Sequence, residues 1–119
     1  MSADKPYDLE ERTFQFAKNV RLLMKKVKRT IGNLEDGKQL IRSSGSAGAN
    51  YIEANDCLGI KDFRMRVRIS KKESKESRYW LRLIDSNGDA EVEKQRAELE
   101  QEAGELMKIF AAILKNSGK

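Results

Sequence analysis

Histidine is absent from this chain, and several chemistries go with it. The Glu-x-x-His pairs of di-iron bundles, His-dependent zinc sites and His-based catalytic triads are all excluded. The single cysteine, Cys57, has no partner for an internal disulfide, which points to a reducing compartment; it reads as a small apolar residue near a helix end, ahead of a reactive thiol. One proline and 7% aromatic residues argue against a sheet protein. No apolar run approaches a membrane span, and the N-terminal MSADKPYDLEER lacks the apolar core of a signal peptide, so the expectation is a soluble, cytoplasmic protein. No glycine-rich phosphate loop follows a strand. Glu53 with Asp56, and Glu73 with Glu76, are carboxylate pairs one helical turn apart. On helices this charged they read as solvated or salt-bridged groups in preference to a metal site. Neither catalytic residues nor cofactors nor a metal are therefore expected.

What remains is charge and helical periodicity. Charged residues make up 36% of the 119, with a mean hydropathy of −0.72 and a net charge of +5. The length suits one domain with one core. The charge is unevenly spread: residues 60–86 carry nine bases against four acids, whereas residues 87–119 carry five against seven. Alternating signs along the chain fit either salt bridging between helices or basic helices presenting a common surface.

The stretch from Asp62 to Ile84 organises the rest. Phe63, Val67, Ser70, Ser74, Ser77, Leu81 and Ile84 recur at steps of four and three, the spacing of a buried helical seam. Arg64, Arg68, Lys71, Lys75, Arg78 and Arg82 recur with the same alternation as a cationic stripe. A third line, Ile69, Glu73, Glu76, Trp80 and Leu83, is mixed and suits an edge of the packing. Helices are expected over about 8–29, 34–58, 61–85 and 89–115. Asp8 and Glu11 have the spacing of a capping box, with Pro6 and Tyr7 just outside it. Leu9, Thr13, Phe16, Val20, Leu23 and Val27 form the first seam, widened by Phe14, Ala17 and Met24. Gly32 is expected to break the chain and Asn33 to cap the second helix.

That second helix contains the run Arg42 to Asn50, RSSGSAGAN, which we read as unbroken helix because Gly37, Ile41, Ser44, Gly48, Tyr51, Asn55 and Leu58 keep the four-three alternation. Glycine costs about 1 kcal/mol relative to alanine inside a helix, so Gly45 and Gly48 need compensation from close packing. The serines at 70, 74 and 77 are the expected complement, two small-residue seams face to face. Asn50, Tyr51, Glu53, Asn55 and, on the third helix, Trp80 are expected to serve packing or assembly. Asp85 to Asp89 is the clearest turn signal. The last helix carries Val92, Leu99, Ala103, Leu106, Phe110 and Ile113, with Arg96 interrupting the seam. Short connections then give an all-α, antiparallel up-down-up-down four-helix bundle.

The cationic stripe is the best functional signal. Residues three and four positions from Arg68, Lys71, Lys75 and Arg78 are apolar, aromatic, serine or basic, so pairing within the helix does not neutralise it. Arg64–Arg68, Lys71–Lys75 and Arg78–Arg82 are like-charged pairs at i, i+4, each mildly destabilising. An anionic partner explains that tolerance; so does neutralisation by Glu91, Glu98, Glu102 and Glu105 of the last helix, or Glu10 and Glu11 of the first. With RNA or DNA, contact is expected at backbone phosphates, with help from Arg21, Lys25 and Lys28. The alternative is an adaptor whose basic face docks an acidic protein or a reverse transcriptase.

The segments RSSGSAGANYIEAN (Arg42 to Asn55), KDF (Lys61 to Phe63), KESKESRYWL (Lys72 to Leu81) and DLEERTFQFA (Asp8 to Ala17) resemble the four-helix-bundle proteins encoded by intervening sequences in bacterial 23S rRNA genes. The resemblance spans nearly the whole chain. It implies an antiparallel bundle assembling as a homopentamer, and kinship with the accessory variability determinant proteins of diversity-generating retroelements, basic pentamers that bind nucleic acid and a reverse transcriptase. The family has no established catalytic site, so none is carried over.

Overall fold

The computed structural model describes residues 8–117. Within them the chain is all-α: α1 (Leu9–Lys26), α2 (Ile31–Asn55), α3 (Ile60–Leu83) and α4 (Ala90–Ser117), with no strand. Each helix packs against two others, in the ring α1–α2–α3–α4–α1. The pairs at opposite corners, α1 with α3 and α2 with α4, make no close backbone approach among the described residues. Phe16, Val20, Leu23, Leu40, Val67, Leu81, Leu106 and Phe110 fill the single core between them, an arrangement of the four-helix-bundle kind. No described helix is long and apolar enough to cross a membrane.

The residues 42–50 are helical throughout, inside a 25-residue helix. Two different faces of α2 make this run tolerable. Toward α3, Ser43 Oγ lies 2.8 Å from Ser77 Oγ, and Ser70 Oγ donates to the Ala47 carbonyl at 2.8 Å. Ser74 and Ser44 are buried as well and bond to carbonyls of their own helices, those of Ser70 and Ile41. The small-residue contact with α3's serines is therefore made by Ser43 and Ala47. Gly48, expected there, faces α1 instead: a Cβ on it would sit 2.9 Å from Thr13 Oγ1. A four-three spacing groups residues on one face of α2 but does not say which neighbouring helix that face meets.

Several local expectations are corrected. Asp8 makes no side-chain capping bond to α1, while Pro6 and Tyr7 lie outside the described residues. α1 ends at Lys26 because Val27 turns to extended backbone, ψ 152°. Gly32 does not break the chain; it sits in the first turn of α2. The cap there is Thr30, whose Oγ1 accepts from the Asn33 N–H at 3.1 Å. Asn33 is instead buried and ties two turns together: Nδ2 donates to the carbonyls of Lys28 and Asp85, and Oδ1 accepts from the Asp85 N–H, each at 2.9 Å. Such a side chain satisfies backbone groups that helix ends leave unpaired. α3 starts at Ile60, two residues before Asp62, which complements the dipole from the first turn. Phe14, expected to widen the core, is 55% exposed, and Leu58 lies past the end of α2 in full exposure. The turn before α4 uses left-handed backbone at Asn87 (φ 55°) and Gly88 (φ 78°), and the Asp89 carboxylate then accepts from the N–H groups of Glu91 and Val92.

The two glycines of α2 predict opposite outcomes. Thr13 is fully buried and its hydroxyl is held by the carbonyls of Leu9 and Glu10, so it has nowhere to move. Gly48→Ala should lower stability by about 1–2 kcal/mol through overpacking. At Gly45 a Cβ would meet only the tip of the Arg21 side chain, at 3.4 Å, and Gly45→Ala should raise stability by up to about 1 kcal/mol. Urea titrations of both variants check the signs.

Candidate nucleic-acid interface

The cationic stripe lies along the flank of α3 that borders α4, and its six members divide into one structural arginine and five open cations. Arg64 is half-buried at the start of α3; its guanidinium donates to the Leu114 carbonyl and to Ser117 Oγ, capping the C-terminus of α4. A cation placed on the carbonyl end of a helix is favoured by the dipole. Arg68, Lys75, Arg78 and Arg82 are exposed and Lys71 is half-buried. None of these five has a carboxylate within 4.0 Å among the described residues. From Arg68 to Arg82 the row covers about 21 Å at 1.5 Å per residue.

None of the acids that were expected to cancel the stripe comes within ion-pairing distance of its five open cations among the described residues; Glu91 and Glu98 are exposed and the others are engaged elsewhere. On α4, Glu102 and Glu105 hold Arg12 of α1, at 2.7 and 2.8 Å. Glu102 and Glu98 line the groove between α1 and α4, on the far flank from α3. The Arg12 guanidinium is held well above its usual range, chiefly by its hydrogen bond to Glu102. Glu105 falls below the usual carboxylate range through hydrogen bonds from Gln101 and Arg12. Glu10 accepts from Asn55 and Glu11 from Gln15, both on α1, which is diagonal to α3.

Arg96, read in the sequence as an interruption of the α4 seam, has a structural task. It is only 13% exposed in its side chain; Nη1 donates to the Leu81 carbonyl at 3.0 Å and to Glu100, while Glu93 accepts from Nε and Nη2. Each of α3 and α4 thus has its C-terminal carbonyls satisfied by an arginine from the other. The hydrogen bond from Arg96, with a second from Ser86, pulls Glu93 down to a pKa of about 2.

The diagonal placement corrects a further expectation. Arg21, Lys25 and Lys28 belong to α1 and its exit, across the bundle from α3, so within one protomer they do not extend the stripe. Arg21 folds back instead, donating to the carbonyls of Ala17 and Ile41. The residue missed in the sequence is Lys108 of α4, which lines a groove of about 510 Å³ with Arg78. Its signal is one turn of α4: Gly104 leaves room for the Arg78 stem, whose Cδ would lie 3.8 Å from an added Cβ, and Lys108 follows four residues later.

The other flank of α3 faces α2 and is chemically different. Asn50 donates to Ser46 and accepts from Arg66 at 2.9 Å. Arg42 reaches both Glu73 and Glu76, each at 3.5 Å, so these acids face an arginine. The second Glu73 oxygen is buried without a partner among the described residues, as is the indole Nε1 of Trp80, whose ring meets Tyr79 edge-on at 5.1 Å. Of the remaining assembly candidates, Tyr51 is a core residue packed on Phe110 at 5.6 Å, and Ser44 and Gly48 are buried inside the protomer. Asn55 and Glu53 are exposed, Asn55 bonded to Glu10, and Gly45 is half-buried beside Arg21. The Cys57 thiol donates to the Glu53 carbonyl.

With this geometry in place, three comparisons bear on it. The family model described as 23S rRNA-intervening sequence protein matches residues 6–112. The crystal structure of a protein with unknown function from the S23 ribosomal protein family of Bacteroides thetaiotaomicron VPI-5482 is similar, with a TM-score of 0.74 at 27% identity, over 89% of this chain and 97% of that one. No curated protein matches.

The depressed Glu93 pKa has a sign that can be measured. A carboxylate with a lowered folded-state pKa contributes stability that is present above pH 4.5 and lost as the pH falls to about 2. Glu93→Gln should therefore lower Tm at pH 7, flatten the acid limb over that window, and converge with the parent near pH 2.

Proposed function

The chain belongs to the 23S rRNA-intervening sequence protein family, and from that premise we propose that it is a non-enzymatic, cytoplasmic, homo-oligomeric bundle that binds nucleic acid through the open cations of α3. The observation that carries this reading is that Arg68, Lys71, Lys75, Arg78 and Arg82 lie in one row with no acid within ion-pairing distance among the described residues. Like charges one helical turn apart repel, and phosphates remove that repulsion by replacing condensed counterions along the nucleic acid. Contacts of this kind position a backbone without reading its sequence. One exposed ring, Tyr79, borders the row beside Arg78; a single ring is not the ladder that stacks successive bases, which favours backbone recognition over single-strand stacking. RNA comes before DNA in this reading, on the strength of the 23S rRNA named in the family's description.

The up-down-up-down order belongs to the same proposal. It is supported by the cross-helix pairs Ser70–Ala47 and Ser77–Ser43, by Arg64 reaching Leu114, and by Arg96 reaching Leu81. Assembly into a ring, a pentamer by the resemblance, would repeat a weak row of contacts around an axis and raise avidity without any new contact.

Replacing Arg68, Lys71, Lys75 and Arg78 together by glutamine should abolish RNA binding in a filter or polarisation assay while helicity and mass by light scattering stay unchanged. On a duplex probe the log–log salt slope of the parent should exceed that of single-glutamine variants by about 0.9 for each contact removed. Unchanged binding by the fourfold variant rejects the stripe. A protein partner captured through the same cations, and retained after nuclease treatment, would replace nucleic acid by the adaptor reading.

A further inference from the structure

On the opposite corner of the bundle from the stripe, α1 and α2 leave a groove of about 550 Å³ open to the surface. Its walls are Phe14 and Ile52, which are 55% and 46% exposed. Its floor is Ala17, Gly45 and Ala49, and its rim carries Lys18 and Arg21. We propose that this groove is a docking site for a partner protein's amphipathic helix, with aliphatic anchors at i, i+4 and i+7 flanked by acidic residues. It is independent of the nucleic-acid reading and uses none of the same side chains.

Three features support that occupant. First, Gly45 is not explained by packing within the chain. Gly48 is glycine because Thr13 fills the space; a Cβ at Gly45 meets nothing but the flexible end of Arg21, yet the residue carries the helix cost of glycine. What it does is keep the floor low. Second, cations outnumber acids on the rim: the one lining carboxylate, Glu10, accepts from Asn55, and neither Lys18 nor Arg21 has a carboxylate within 4.0 Å among the described residues. Lys18 lies against the Phe14 ring, with Nζ 5.9 Å from its centroid, and Arg21 arches over the groove toward Ile41. An apolar trough edged by free cations is complementary to apolar anchors edged by acids. Third, the shape suits a helix. The floor and walls run eight residues along each helix, from Phe14 to Arg21 and from Gly45 to Ile52, about 10 Å or two turns, the length over which anchors at i, i+4 and i+7 are read.

The test uses the full chain and two labelled synthetic helices of roughly four turns. Both present leucines at i, i+4 and i+7; one is flanked by glutamates, the other by lysines. Fluorescence polarisation should show saturable binding of the glutamate-flanked peptide and at least about tenfold weaker binding of its lysine counterpart. Gly45→Leu, which raises the floor where only Arg21 must move aside, should abolish binding while helicity and Tm are retained. Arg21→Glu should reverse the preference between the peptides. RNA binding should be unaffected by either variant, so this site and the stripe stand or fall separately. Equal affinity for the two peptides, no binding of the acidic one, or binding that survives Gly45→Leu overturns the proposal. It is equally overturned if the parent self-associates and Gly45→Leu dissolves the assembly, which would make the groove a contact between copies.

Discussion

Everything about this bundle follows from how α2 and α3 are joined: by hydroxyls rather than by bulk. Ser43 on Ser77 and Ser70 on the Ala47 carbonyl are short side chains that let the helices approach closely and satisfy each other at the contact. Buried hydroxyls without partners would be costly, at about 1–3 kcal/mol each. Here Ser43, Ser44, Ser70, Ser74 and Ser77 all find an acceptor or a second hydroxyl. The seam is therefore selective in a way an aliphatic one is not, because sliding α3 by one turn would break both cross-helix bonds and take their partners from Ser70 and Ser77. Once that register is set, the rest of α3 has no rotational freedom. Its long cations must occupy the flank toward α4, and Trp80, Glu73 and Glu76 the flank toward α2.

The second pairing depends on the first. With α3 fixed, α4 is locked to it at both ends by crossed arginines, Arg64 on the Leu114 carbonyl and Arg96 on the Leu81 carbonyl. Each does what a capping residue does for carbonyls that lack intrahelical partners. The acids of α4 are then distributed by rotation alone. Glu102 and Glu105 reach α1 and Glu93 and Glu100 hold Arg96; Glu100 and Glu105 also line the groove beside Arg78 with Gln101, Gly104 and Lys108, but neither comes within 4.0 Å of its guanidinium. The stripe is bare because its natural counter-charges are spent on keeping α1 and the α3–α4 junction in place.

How much of this was legible before the structure depends on the kind of interaction. The seams of α1 and α3 were, because apolar and small residues at steps of four and three have one interpretation over six or seven repeats; Val67, Ser70, Ser74, Ser77, Leu81 and Ile84 are all buried. The continuous α2 was legible for the same reason. What could not be seen was which neighbour each residue faces. Gly48 and Ala47 are adjacent in sequence, and only the angle of α2 decides that one meets Thr13 and the other Ser70. Asn33 and Arg96 misled for a different reason. Their side chains serve backbone groups far away in sequence, Asp85 and Leu81, and no local pattern encodes a partner 52 or 15 residues distant. Phe14 sits on the border of its seam, where periodicity is least decisive, and in its exposed position it forms one wall of the α1–α2 groove.

The two basic surfaces of the protein are consequently not alike. Both carry cations that no carboxylate reaches within 4.0 Å among the described residues, so both attract anions at long range. They differ in what lies beneath the charge. Under Arg68 to Arg82 the helix offers hydrophilic surface, the small Gly104 and a polar groove, which suits a hydrated phosphate chain that keeps its water. Under Lys18 and Arg21 lie Ala17, Ala49, Phe14 and Ile52, where occupancy by a hydrated chain would leave the apolar surface no better covered than in water. Covering it requires apolar groups from the occupant, at roughly 25 cal/mol for each Å² removed from water. A phosphate backbone has none to give and a helix with aliphatic anchors does. The difference in floor, rather than the shared sign of charge, is what separates the partners of the two corners.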